Sequence, residues 1–176
     1  GSAKVERAYA EYYRVMGNFE EARSHLVNAQ IKEPDELDNL LLSADISKDQ
    51  GIPEVAEGKY NDALSRNFMF TNTYSSLVVL YSNPALFKSK KSSIENLVQK
   101  VNLLETGSVL KTSYYNILRD AGYTFSLNQE YAISENYYNK AIVLQPENCA
   151  AIIDLAYILA NQEKYEASEK LFNKAI

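Results

Sequence analysis

The chain has 176 residues, 46% of them hydrophobic and 23% charged, with a formal net charge of −5. That apolar fraction belongs to a folded chain rather than a disordered one, and no apolar run reaches the roughly 18 residues that span a bilayer. The acidic balance argues against a general nucleic-acid binder, which needs a basic face to displace counterions. Six glycines and four prolines set against 14 tyrosines predict a chain that is mostly helix.

From the start, Gly1-Ser2 reads as a cloning remnant, and the charged residues after it carry no signal-peptide pattern. A 34-residue period then sets in. The first frame is 3–36, broken between two helices at Gly17-Asn18 and closed by Pro34. The second is 37–70, broken at Gly51, with Pro53 suited to a first helical turn. The third, 71–114, is irregular and holds ten extra residues. Its first helix runs through Tyr74, Leu77, Val78 and Tyr81 and ends at Asn83-Pro84, because the residue before a proline is pushed out of helical geometry. Its second helix is predicted to start near Ser92, with Ser92 and Glu95 at capping-box spacing. Ile94, Leu97, Val98, Val101 and Leu104 form its apolar face, and Gly107 suits the left-handed residue past a helix end. The extra residues are expected in the Pro84–Lys91 turn, in the connection after Glu105, or in both. The fourth frame, 115–148, breaks at Asn128-Gln129 and closes on Pro146. Asn148 then suits the N-cap of a helix beginning at Cys149. The fifth, 149–176, breaks at Asn161-Gln162 and stops inside its second helix, so the chain is expected to be a window onto a longer protein.

The frames agree where helices have to touch. The eighth place holds Ala10, Ala44, Gly122 and Ala156, and the twentieth holds Ala22, Ala56, Ser134 and Ser168. The twenty-fourth holds Leu26, Tyr60, Tyr138 and Phe172, and the twenty-seventh holds Ala29, Ala63, Ala141 and Ala175. Small residues recur where backbones approach, and large ones recur where space has to be filled. With Leu118, Ala121, Gly122, Phe125, Tyr131, Tyr138, Ala141 and Pro146, and again with Ile152, Leu155, Ala156, Leu159, Tyr165, Phe172 and Ala175, the chain resembles the tetratricopeptide repeat (TPR) family. The second frame departs from the family pattern, with Ser43 and Ser47 in place of bulky residues and Phe68 in place of the proline. The resemblance implies an all-α fold, a right-handed solenoid of about ten helices in antiparallel pairs, forming a single array over residues 3–176.

Signals for catalysis are nearly lacking. The glycines are scattered singly, and there is no HExxH pair, CxxC or nucleophile elbow. A single histidine, His25, removes most metal sites and most His-based chemistry; it reads as an exposed or partly packed residue. The single cysteine, Cys149, excludes an internal disulfide and a zinc site, leaves the redox compartment open, and reads as an inert thiol at a helix start. Glu20-Glu21 belong to an exposed helix start, where acids suit the dipole. Lys88, Lys90 and Lys91 read as a solvated loop. The chain is therefore expected to be no enzyme and to need no cofactor and no metal.

Recognition is what the resemblance implies instead, with the first helices of each pair lining a concave wall. Projected on the frames, the wall holds Arg7, Glu11 and Arg14, then Leu41, Asp45 and Lys48. Further along come Ser75 and Val79, then Arg119, Tyr123 and Ser126, and last Ile153, Tyr157 and Asn161. Tyr123 and Tyr157 fall one unit apart at equivalent places, and aromatic anchors beside Arg and Asn suit peptide binding. Members of the family that hold chaperone C-termini carry a lysine and asparagines on this wall; Glu11 and Asp45 stand where donors would be needed, so that ligand is disfavoured. The expected function is a non-catalytic protein–protein interaction scaffold that takes a peptide or partner protein in its groove. It is expected to bind no nucleic acid and not to insert into a membrane. A regulatory or anchoring segment of a larger enzyme or membrane-associated assembly is the alternative, and self-association through an uncapped array end is a third reading. The cytoplasm is the favoured compartment, with the periplasm as the other option.

Overall fold

The computed structural model describes residues 1–107 and 111–175. Among them ten helices follow one another: α1 (Ala3–Val15), α2 (Phe19–Lys32), α3 (Leu37–Asp49), α4 (Pro53–Arg66), α5 (Thr71–Leu80), α6 (Pro84–Leu104), α7 (Thr112–Leu127), α8 (Tyr131–Leu144), α9 (Cys149–Asn161) and α10 (Tyr165–Ala175). Contacts group the chain into two compact units, Gly1–Thr73 and Tyr74–Ile176.

In the N-terminal unit α1 packs on α2, α2 on α3 and α3 on α4, and α1 also touches α3. Short turns fold each pair back on itself. Gly17 and Gly51 stand there at φ +74° and +75°, a left-handed conformation that a Cβ disfavours. After each turn the next helix is started by its own residues. The Asn18 side chain accepts from the Glu21 amide, and Pro53 occupies the first turn of α4. Ala10, Ala22, Ala29, Ala44, Ala56 and Ala63 are completely excluded from solvent. These are the small side of each helix crossing; Leu26 and Tyr60 are the large side. Ala10, Ala22, Leu26, Leu42 and Ile46 make one cluster, with Tyr13 and Phe19 packed against it.

The C-terminal unit repeats this arrangement with different side chains. α6 packs on α7, α7 on α8, α8 on α9 and α9 on α10. The left-handed turn residue is now Gln129 (φ +60°) and Glu163 (φ +62°). At the crossings Ser134 Oγ donates to the Gly122 carbonyl and Ser168 Oγ to the Ala156 carbonyl, both at 2.8 Å. A Cβ at Gly122 would stand 2.8 Å from the Tyr138 ring, so this crossing requires glycine. Asn148 caps α9, accepting from the Ala150 amide at 3.2 Å. Phe172 and Ala175 are only half-buried. Ile176, the last position of the expected fifth frame, lies outside the described residues.

One expectation needs correction. The second helix of the third frame does not start near Ser92, and 84–91 is not a turn: α6 begins at Pro84 and runs for 21 residues. The same dipeptide that stops α5 starts α6. Asn83 is extended, as a residue before proline must be, and its side chain accepts from the Ala85 amide at 2.9 Å. Pro84 sits in the first turn, where its missing N–H costs nothing. Leu86 and Phe87 extend the buried stripe of Ile94, Leu97, Val98 and Val101 by two turns, so Ser92 and Glu95 lie mid-helix. Part of the extra length is therefore helix. Lys88, Lys90 and Lys91 are helical too. Lys91 pairs with Glu130, and the Lys90 ammonium stands 5.8 Å from the centre of the Tyr81 ring. Beyond α6, Gly107 takes φ +105°, and the Glu105 carboxylate accepts from the Ser113 and Tyr114 amides at the start of α7. Residues 108–110, in the connection where further extra length was expected, lie outside the described residues.

Candidate functional site

The wall residues of the N-terminal unit come from α1 and α3. Arg7, Glu11, Leu41 and Asp45 line one open depression of about 580 Å³, together with Lys4, Ala8, Asp38 and Leu42. Arg7, Glu11 and Asp45 each pair with a residue outside it. Arg7 donates to Glu33 at 2.7 Å and to Asn39 at 3.5 Å. Arg14 grips Glu11 with two bonds of 2.6 and 2.8 Å and also pairs with Asp49 of α3. These carboxylates hold the Arg14 guanidinium above its ordinary range, Glu11 foremost. Asp45 accepts from Lys48 at 2.9 Å and from the Tyr60 hydroxyl. Arg14 and Lys48 thus serve as partners for the acids and do not line the depression.

In the C-terminal unit Val79 is half-buried on α5, and the remaining candidates lie on α7 and α9. Arg119 joins these two helices through a 2.7 Å bond to Asp154. Its guanidinium lies 6.0 Å from the centre of the Tyr115 ring, and the Tyr115 hydroxyl accepts from the Ala151 amide. Tyr123 is 47% exposed and Tyr157 60%. The Tyr157 ring meets Phe172 edge-on at 5.2 Å. Ile153 is half-buried and Asn161 exposed. Six tyrosines, at 60, 74, 81, 115, 137 and 138, are buried instead. The rings at 123 and 157 are not among these buried ones, although Tyr157 rests against Phe172 of α10.

Two features carried no sequence signal. Asp120, one turn before Tyr123, is largely withdrawn from solvent; burial pushes its pKa up, partly offset by a hydrogen bond from Ser75. The second is a slot formed by the seventh and eleventh places of a first helix and the twenty-third place of its second. In the first frame His25 stacks between Tyr9 (5.1 Å) and Tyr13 (5.5 Å) and meets Glu6 at 2.8 Å. Hydrogen bonds from Lys32 and His25 hold the Glu6 carboxyl down at about 2. In the second frame Lys59 lies between Ser43 and Ser47. In the fourth Tyr137 stacks on Phe125 at 5.5 Å. In the fifth Leu171 packs against the cluster that holds Leu155 and Leu159. Among the described residues no group of three or more His, Cys, Asp or Glu side chains could hold a metal ion. No helix there is long and apolar enough to cross a membrane.

No family model matches the chain, and no curated protein matches it. Solved structures do. PilF of Pseudomonas aeruginosa is 16% identical with a TM-score of 0.67, covering 97% of this chain and 73% of that one. PilW, described as a widely conserved type IV pilus biogenesis factor, is 13% identical at 0.68, covering 98% and 76%. BtubC from P. vanneervenii is 11% identical at 0.70, covering 94% and 75%. At these identities the likeness concerns architecture, and it shows the fold to be an all-α, TPR-like helical repeat.

Proposed function

We propose that this chain is a member of the TPR family and acts as a non-catalytic interaction scaffold. It takes an extended peptide or a partner segment on the exposed faces of its first helices. The observation that carries the reading is the pair Tyr123 and Tyr157, large rings left half in solvent at equivalent places of α7 and α9. A chain selected only for folding gains little from two such rings there, whereas a binding face uses them as rigid anchors. Between them the Arg119–Asp154 pair fixes the spacing of the two helices. Val79, Arg119, Ile153 and Asn161 complete this face, and Arg7, Glu11, Leu41 and Asp45 form its counterpart on α1 and α3, with Arg14 and Lys48 holding its acids. The likeness to a protein described as a pilus biogenesis factor supports a role in which such a scaffold serves a larger assembly.

The test is peptide selection. A random peptide library displayed on phage should yield binders, and amide shifts on adding them should fall on α7 and α9 around Tyr123 and Tyr157. Shifts confined to the outer faces of α8 and α10 would overturn the assignment.

A further inference from the structure

The C-terminal unit repeats one pair of residues along its wall. Asp120 and Tyr123 hold the sixth and ninth places of the fourth frame, and Asp154 and Tyr157 hold the same places of the fifth. Residues three apart on a helix share a face, so each carboxylate lies on the side of an exposed ring. The sixth place also reaches the groove in the N-terminal unit, where Ala8 and Leu42 line the open depression. What faces the two carboxylates differs. Asp154 receives a 2.7 Å bond from Arg119, at the fifth place of the preceding frame. That guanidinium also lies 6.0 Å from the centre of the Tyr115 ring.

Asp120 faces α5 instead. Thr124 Oγ1 donates to the Val78 carbonyl at 2.8 Å, and the Asn128 side-chain amide donates to the Ser82 carbonyl at 3.1 Å. These bonds lie one turn apart in one register, and one turn further back that register sets Asp120 against Tyr74 and Ser75. The fifth place here is thus Ser75, too short to fill the space that an arginine fills at the next junction. Its hydroxyl supplies a hydrogen bond to the half-buried Asp120 but no countercharge. Arg119 is next in the chain, but it is bonded to Asp154, whose own charge opposes that of Asp120. A carboxylate withdrawn from water without its own countercharge is costly.

We propose that Asp120 and Tyr123 receive a basic side chain, arginine or lysine, of the bound segment. The inference rests on the peptide-binding reading above and names the chemistry of the residue bound. The partner's cation takes at Asp120 the place that Arg119 takes at Asp154, with the Tyr123 ring, 47% exposed, beside it. Charge-assisted hydrogen bonds are the strong ones, and a ring face within about 6 Å adds attraction for a cation. Asp154 is already neutralised, so the face takes one cation.

The probes are phage-selected peptides that shift the Tyr123 amide, and analogues with arginine replaced by citrulline or lysine by acetyl-lysine, one residue at a time. The binders should carry a basic residue, and one neutral replacement should weaken binding to the wild-type protein about tenfold by calorimetry. Asp120→Asn keeps the size of the side chain and an acceptor for Ser75; in that protein the charged and neutral peptides should bind alike. Binders without a basic residue, neutral analogues that bind as well as their parents, or equal weakening of both by Asp120→Asn would each overturn the inference. In all three cases a loss of affinity in Tyr123→Ala leaves the binding face itself standing. A library that yields no binder at α7 and α9 overturns both.

Discussion

The two units answer one structural demand with different chemistry. In the N-terminal unit the slot between paired helices holds titratable or polar groups, His25 between two tyrosines and Lys59 between two serines. In the C-terminal unit the same places hold Tyr137 stacked on a buried Phe125, which also meets Phe87 edge-on, and Leu171 among leucines. Tyr9 is half exposed, whereas its counterparts Ala121 and Leu155 are buried. The backbone period dictates where a side chain must stand, but it does not dictate that the side chain be apolar. The C-terminal unit therefore keeps more of its stability in these slots, and the N-terminal unit keeps chemistry there.

Substitutions at matched places put this difference at risk. Phe125→Ala should cost about 3–5 kcal/mol, the range for deleting a buried ring, while Tyr13→Ala at the same place of the first frame should cost clearly less. Equal costs in urea melts would erase the contrast. Gly122→Leu forces a side chain into the Tyr138 ring and should cost about 1–3 kcal/mol. Gly58→Leu is the control, because nothing stands within 4 Å of a Cβ there. An unchanged melting temperature for Gly122→Leu would mean the helix crossing is misplaced. At the turns, Gly17→Gln should lose about 1 kcal/mol and Gln129→Gly should gain a comparable amount, since only glycine takes a left-handed conformation without penalty.

The smallest effect is one of pH. The Glu6 carboxyl is held at about 2, against an ordinary 4.5, by hydrogen bonds from Lys32 and then His25. A depressed carboxylate contributes stability in full above its unfolded value and loses it as pH falls from about 4.5 toward 2. Lys32→Met should return the Glu6 titration, followed by carboxyl NMR, toward its ordinary value. A titration unchanged in that variant would remove Lys32 as the cause.

Much of this was legible in the residues. Alanine or glycine at the eighth place marked the buried crossings of the first, second, fourth and fifth frames, and Gly17, Gly51 and Asn148 marked turns and caps through local rules that need no tertiary partner. The start of α6 was not legible. Asn83-Pro84 signals a helix end and a helix start with the same two residues, and Ser92 with Glu95 imitates a cap in mid-helix. The slots were missed for another reason. Ser43 and Ser47 read as a degenerate repeat until Lys59 is seen between them, a pairing set by the helix crossing and not by spacing along the chain. Their shared ninth place in the frame marked Tyr123 and Tyr157 as an equivalent pair one unit apart, but it did not separate them from tyrosines that pack between helices; their exposure did.

Binding through that ninth place is the central claim, and the double substitution Tyr123→Ala with Tyr157→Ala tests it most directly. The affinity of a selected peptide, measured by calorimetry on the wild-type and doubly substituted proteins, should fall at least about tenfold, as expected for aromatic anchors. The melting temperature should stay within about 2–4 °C, the shift that roughly 1 kcal/mol produces in a chain of this size. An unchanged affinity, or a collapse of the melting temperature, would contradict it.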